Sequence, residues 1–150
     1  MRLVIQRVKS ASVSISDVEH AKINKGLLVF VGVEQEDDFL AIQWLVGKLV
    51  KMRLFPDEKH PINASIEKVE GEFLIVSQFT LHASTKKGNR PSFVKSASPE
   101  RAKKMYEDFI EHLKNSTKLP VKTGVFGASM DIQLTNHGPV TILIDSKHRE

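Results

Sequence analysis

The chain contains no cysteine. That absence removes disulfides, thiolate metal sites and cysteine nucleophiles together, and it suits a reducing cytosol. No apolar stretch is long enough to span a bilayer, because Lys48, Lys51 and Arg53 interrupt the longest one. The opening residues Met1-Arg2-Leu3-Val4-Ile5-Gln6-Arg7 are charged and alternating, without the apolar heart of a signal peptide. A soluble cytoplasmic protein with no membrane contact is therefore expected. The six histidines are scattered, with no pair at metal-ligand spacing, so neither a metal nor a cofactor is expected. There is no Gly-x-Ser-x-Gly elbow, and Gly124-Val125-Phe126-Gly127 lacks the lysine and spacing of a phosphate loop. Aromatic residues make up only 7% and form no ladder with basic residues on which successive bases would stack. Neither sign of charge dominates: the net charge of +4 is compatible with a polyanionic partner but does not single one out.

What is present is apolar bulk, 41% of 150 residues, enough for a single domain over 1–150 with a substantial core. Leu3, Ile5, Val13 and Ile15 alternate with polar residues, as in half-buried strands. Residues 26–33 form a continuous apolar run of strand length, the pattern of a strand covered on both faces. An acidic cluster, 34–38, leads into Ile42, Leu45, Val46, Leu49 and Met52 at helical spacing, and Pro56 and Pro61 lie beyond. A second β block is expected near Ile66, with Glu70-Gly71 as a hairpin turn before 73–81. Ser98-Pro99-Glu100 reads as a helix start with Ser98 as N-cap, followed by Ala102, Met105, Tyr106, Phe109, Ile110 and Leu113 on one face. Strand patterns follow at 121–123, 130–135 and 140–144, with Gly138-Pro139 as the turn between the last two. The order β-β-β-α-β-β-α-β-β-β predicts an α+β fold, a mostly antiparallel and barrel-like sheet with two main helices. A strand-rich surface of this kind is also suited to closure by dimerisation.

Two strings stand out chemically. In Ser77-Gln78-Phe79-Thr80-Leu81, hydroxyl and amide groups follow directly on the apolar Phe73-Leu74-Ile75-Val76, where a plain core strand would have no use for them. Ser77 and Gln78 can donate to a carbonyl or a developing oxyanion. Thr80 is a candidate nucleophile, but no base is assigned to it, and a threonine in a strand is equally a matter of propensity. In Asn136-His137-Gly138-Pro139-Val140-Thr141, the Gly-Pro pair breaks a strand pattern and leaves backbone carbonyls without side-chain cover. Lys86, Lys87 and Arg90, just after the first string, are candidate phosphate contacts or simply a solvated loop.

These two strings join four others: Met1-Arg2-Leu3-Val4-Ile5-Gln6-Arg7-Val8, Gly26-Leu27-Leu28-Val29-Phe30-Val31-Gly32-Val33, Lys87-Gly88-Asn89-Arg90-Pro91-Ser92-Phe93 and Gly124-Val125-Phe126-Gly127-Ala128-Ser129-Met130. In this order, over essentially the whole length, they resemble the D-aminoacyl-tRNA deacylase family, also called D-tyrosyl-tRNA deacylase. The resemblance implies a proofreading hydrolase of translation that cleaves the ester joining a D-amino acid, or mischarged glycine, to the 3′ end of tRNA. It implies a homodimer with active sites at the interface, where Gly138-Pro139, with a cis peptide, reaches into the partner's pocket and excludes L-amino acids. Ser77, Gln78 and Thr80 would form the catalytic pocket, with Phe79 and Phe126 near the terminal adenosine. Arg7 would brace the Gly-Pro turn, and Met130 would sit close to it. An aminoacyl ester is already activated, so its hydrolysis needs positioning and oxyanion stabilisation more than a strong protein base. For that reason, assistance by the RNA 2′-hydroxyl is favoured here over a Thr80 nucleophile. Two rival readings stay open at this point: a non-catalytic RNA-binding β-rich dimer, and a general esterase that depends on Thr80.

Overall fold

The computed structural model describes residues 1–149. β1 (Arg2–Ile15) turns back through Ser16 and Asp17, both at positive φ, the geometry that a two-residue hairpin demands. β2 (Val18–Ile23) and β3 (Gly26–Gly32) then run antiparallel to β1, one after the other along the same edge. β6 (Asp131–Asp145) covers the other edge of β1, also antiparallel. β4 (Glu72–Ser77) pairs parallel with β3, and β5 (Val121–Thr123) parallel with β4. Each parallel step needs a crossover, supplied by α1 (Phe39–Lys51) and α2 (Pro99–Ser116). The result is α+β with two helices and a six-stranded, mostly antiparallel sheet that curls into a nearly closed barrel.

Because β3 and β4 are buried on both faces, their side chains feed two cores. Leu27, Val29, Val31, Phe73 and Ile75 pack with Ile42, Leu45, Leu49, Phe109 and Leu113 of the helices. Leu28, Leu74 and Val76 point the other way and pack with Val8, Ala11, Val13 and Ile23 inside the barrel. The helices begin as their sequences direct, with one difference. Asp38 caps α1, its carboxylate accepting from the Ala41 amide at 3.0 Å. Ser98 holds the cap position of α2 ahead of Pro99, but its side chain makes no capping bond; its amide donates to Gln35 Oε1 at 3.2 Å.

Two expectations are corrected. Residues 66–70 form turns and no strand, with Glu70 at φ 49° and the Gly71 amide donating to the Ile66 carbonyl at 3.0 Å. Ile66 and Val69 are three residues apart, a spacing that suits a turn, and β4 takes its partners from β3 and β5, so no hairpin strand is needed. Gly138-Pro139, in turn, does not join two strands but lies within β6. Gln6 faces Thr141 and Val8 faces Asn136, so residues 137–140 stand opposite Arg7 alone as an enlarged bulge.

Arg7 holds that bulge. Its Nε donates to the His137 carbonyl at 2.8 Å, and its Nη1 donates to the carbonyls of Leu54 at 2.6 Å and Pro61 at 2.9 Å. Asn136 spans the bulge from below, its Oδ1 accepting from the Val140 amide and its Nδ2 donating to Thr141 Oγ1. The Gly138-Pro139 bond is cis, and Gly138 has φ 137°. A Cβ at position 138 would lie 2.8 Å from Arg7 Nη2 and 2.9 Å from Val140 Cγ2, so this position admits only glycine. Arg7→Ala would leave three carbonyls without their donor in a region where Arg7 itself is 4% exposed. The expected cost is about 3 kcal/mol, read as a lower urea midpoint, with Arg7→Lys recovering only part because an ammonium lacks the planar fork. An unchanged midpoint for Arg7→Ala would show that the bulge stands without it.

Candidate active site

β4 stops where its polar residues begin. Ser77 is opposite Val31, and the Gln78 amide makes one further bond to the Val31 carbonyl at 2.8 Å. The chain then winds into a single 3₁₀ turn, η1 (Phe79–His82). η1 can seat there because β3 ends in glycine: a Cβ at Gly32 would lie 2.9 Å from Leu81 Cβ and 3.1 Å from the Gln78 carbonyl oxygen. Three further contacts hold the turn. Ser96 Oγ donates to the Phe79 carbonyl at 3.1 Å, Arg2 Nη1 donates to the Leu81 carbonyl at 3.0 Å, and the Phe79 ring meets Phe93 edge-on at 5.0 Å.

Beside this turn opens a cleft of about 500 Å³. It lies at the carboxyl ends of parallel β3 and β4, the usual place for a site beside parallel strands. Ser77, Gln78 and Phe79 form one wall, Tyr106 and the start of α2 another, and Phe126 and Met130 a third. Tyr106 spends its hydroxyl on the Ile75 carbonyl at 2.8 Å, and burial pushes its phenol well above the ordinary range, so it acts as a neutral apolar wall. Its ring tilts against Phe126 at 5.9 Å. Met130 is seated by a second missing side chain: a Cβ at Gly124 would lie 2.6 Å from its Sδ. The cleft is thus mostly apolar, with a small polar group at one edge.

Gln78 Nε2 donates to Thr80 Oγ1 at 2.6 Å, which makes the threonine oxygen an acceptor. Thr80 has no other side-chain hydrogen bond among the described residues, and an amide cannot take its proton. A helical turn also leaves its first amides without an intrahelical acceptor, and those of Phe79 and Thr80 stand at the start of η1. The arrangement offers hydrogen-bond donors and an apolar seat, with no side-chain base at the hydroxyl.

Of the residues expected from sequence, Ser77, Gln78, Phe79, Phe126 and Met130 come together on this cleft. Thr80 is exposed and tied to it through Gln78. Arg7, Gly138 and Pro139 do not line it; they belong to the bulge of β6, where Gly138 and Pro139 are exposed. Lys86, Lys87 and Arg90 also stay outside it, on the exposed loop between Ser84 and Ser92, whose backbones pair. Sequence reasoning missed Ser96, Pro99, Ala102 and Tyr106, which line the cleft from the α2 side. The only signal for them was the helix start at Ser98-Pro99, which locates an end of α2 but not what that end faces.

The family model described as D-Tyr-tRNA(Tyr) deacylase matches residues 4–145. Among curated relatives, a D-aminoacyl-tRNA deacylase of Flavobacterium johnsoniae is 53% identical over 150 residues, covering all of both chains. One of Cytophaga hutchinsonii is 52% identical, with the same full coverage. A solved structure described as "c-Myc DNA Unwinding Element Binding Protein" superposes with a TM-score of 0.92 at 35% identity, covering 97% of this chain and 98% of its own. Another, "Structural Analysis of a probable eukaryotic D-amino acid tRNA deacylase", superposes with a TM-score of 0.82 at 18% identity, covering 95% and 97%, which is a likeness of fold. With a matched span that leaves out only the chain ends and relatives half identical over their full length, the chain belongs to the D-Tyr-tRNA(Tyr) deacylase family of ester hydrolases.

Proposed function

We propose that this protein hydrolyses the ester between a D-amino acid, or glycine, and the 3′ end of tRNA, and spares L-aminoacyl-tRNA. The observation that carries this reading is the cleft at the end of β4, where an apolar seat meets the exposed start of η1. Water attacks the ester carbonyl carbon, its bond to the ribose 3′-oxygen breaks, and the proton ends on that oxygen, releasing free amino acid and tRNA. The amides of Phe79 and Thr80 and the side chain of Gln78 are placed to stabilise the oxyanion. Thr80, accepting from Gln78 and lacking a base, orients groups and does not attack. The ribose 2′-hydroxyl assists the water.

In the same reading the working unit is a homodimer. Among the described residues β6 pairs only with β1, which leaves one edge of a 15-residue strand without a partner in a single copy. The exposed Gly138-Pro139 bulge on that strand, gripped from behind by Arg7, is rigid enough to enter a second copy's cleft and crowd an L side chain. Phe79 and Phe126 then face the terminal adenosine, while Lys86, Lys87 and Arg90 meet the RNA backbone.

Deacylation of matched D- and L-aminoacyl-tRNA tests the reading: the D form should turn over about 100-fold faster or more, since a steric clash rejects more strongly than a missing methylene. Equal turnover of the two would sink it. Thr80→Ala should retain activity within about tenfold, while a 2′-deoxy terminal adenosine should lose about 100-fold or more. The reverse pattern would restore Thr80 as nucleophile. Replacing Lys86, Lys87 and Arg90 together by Ala should flatten the dependence of log affinity on log salt by about 2, and an unchanged slope would remove them from the RNA contact.

A further inference from the structure

η1 carries the proposed chemistry on its outer side, and its inner side holds a titratable group that this chemistry does not use. His82, the last residue of η1, is 2% exposed, and neither ring nitrogen makes a hydrogen bond among the described residues. The ring lies against Gly32, where a Cβ would come 3.1 Å from its Cδ2. Its Nδ1 is 3.4 Å from Glu34 Oε1, just beyond β3. Glu34 is itself paired through Oε2 with Lys147 at 2.9 Å, after β6. Two cations at the start of the chain act on the ring through their charge: Arg2 of β1 and the α-amino group of Met1 just before it. Both have their own anions. Arg2 Nε donates to Asp145 at 2.7 Å, and the amino group of Met1 is bound by Asp37 and by Ser146 Oγ.

We propose that His82 is a positioning residue for the active turn. As a neutral imidazole it fills the space between Gly32, Glu34 and Arg2; once protonated it draws Glu34 away from Lys147 and repels Arg2. Arg2 then loosens its bond to the Leu81 carbonyl, and Phe79 and Thr80 lose the placement that oxyanion stabilisation needs. This rests on the deacylase reading for its effect on catalysis, but the movement of η1 does not.

The groups around His82 set the direction in which its proton affinity moves. Burial raises Asp145, but the Arg2 bond and the amides of Lys147 and His148 outweigh it and bring the carboxyl down to about 2. Burial also opposes the charge of Glu34, yet Lys147 and His82 hold it below the ordinary carboxylate range. For His82, burial comes first, and Arg2 and the Met1 amino group add to it; together they outweigh Glu34 and the Gly32 carbonyl and keep the ring below its ordinary 6.5. The ring is therefore neutral at neutral pH and gains its proton only as pH falls below that value.

The test follows the His82 ring and the amides of Phe79, Thr80 and Leu81 by NMR from about pH 8 downward until the ring has taken up its proton. The three amides should shift with the same midpoint as the ring, below 6.5. In His82→Gln that transition should vanish, and the acid loss of kcat on D-aminoacyl-tRNA that accompanies the ring's protonation in the unaltered protein should be lost with it, with KM unchanged. Glu34→Gln, which keeps the ring but removes its anion, should move the ring and the amides together to still lower pH. Amides that ignore the ring, or an acid limb identical in His82→Gln, would overturn the proposal. The NMR arm needs no substrate, so it still decides the positioning role if the deacylase reading fails.

Discussion

Pairing β4 parallel to β3 forces the chain to leave one end of the sheet and return to the other, and α1 is that return. The same demand between β4 and β5 places α2 on the same layer. With both crossovers made, the carboxyl ends of β3 and β4 and the amino end of α2 meet at one place, and the cleft is what remains between them. The ladder must also end there. Gly32 opposite the Ser77–Gln78 step lets the chain fold down as η1 where any side chain would have held it off. The polar string is then presented at the edge of the cleft instead of being absorbed into a longer strand.

The parallel pairing left a trace in the sequence that a reading by alternation passes over. Residues 27–31 and 73–76 are continuously apolar, whereas β1 alternates, and continuous runs are what strands covered on both faces require. That pattern supports burial on two sides for residues 26–33. It does not say which way the neighbouring strand runs, and so a hairpin at Glu70-Gly71 looked as good as a crossover. The Gly138-Pro139 pair misled for a related reason. Locally, a bulge and a turn ask for the same residues, and only the opposite strand distinguishes them: here β1 continues past with Arg7 in the gap.

The site was half legible. Ser77, Gln78 and Thr80 are polar groups following an apolar run, a conflict that points to use, since a strand under no functional demand keeps to one pattern. Phe126 and Met130 lack that conflict and are reached only through the family resemblance of residues 124–130. The face of α2 carried no such conflict: Ala102 and Tyr106 satisfy the helical period and read as core, which in part they are. A residue that serves both core and cleft leaves no separate mark in one sequence. His82 is hidden in the same way, because a lone histidine after a strand gives no sign of being buried against a glutamate.

Both devices that shape the proposed chemistry are anchored on one strand. Arg2 reaches η1 through the Leu81 carbonyl, and Arg7 reaches the β6 bulge through the His137 carbonyl. Five residues of extended chain separate them by about 17 Å, and β1 is held over that span by β3 on one edge and β6 on the other. A strand paired on both edges cannot slip by one residue without turning its buried set outward. The spacing between the turn that would stabilise the oxyanion and the bulge that would enter a neighbouring copy is therefore rigid. In the proposed two-copy site each cleft would take its bulge from the other molecule, so its two parts would be aligned only if both copies keep that spacing. Arginine suits both posts for the same reason: its planar fork can bond several acceptors at once and hold them in a fixed geometry.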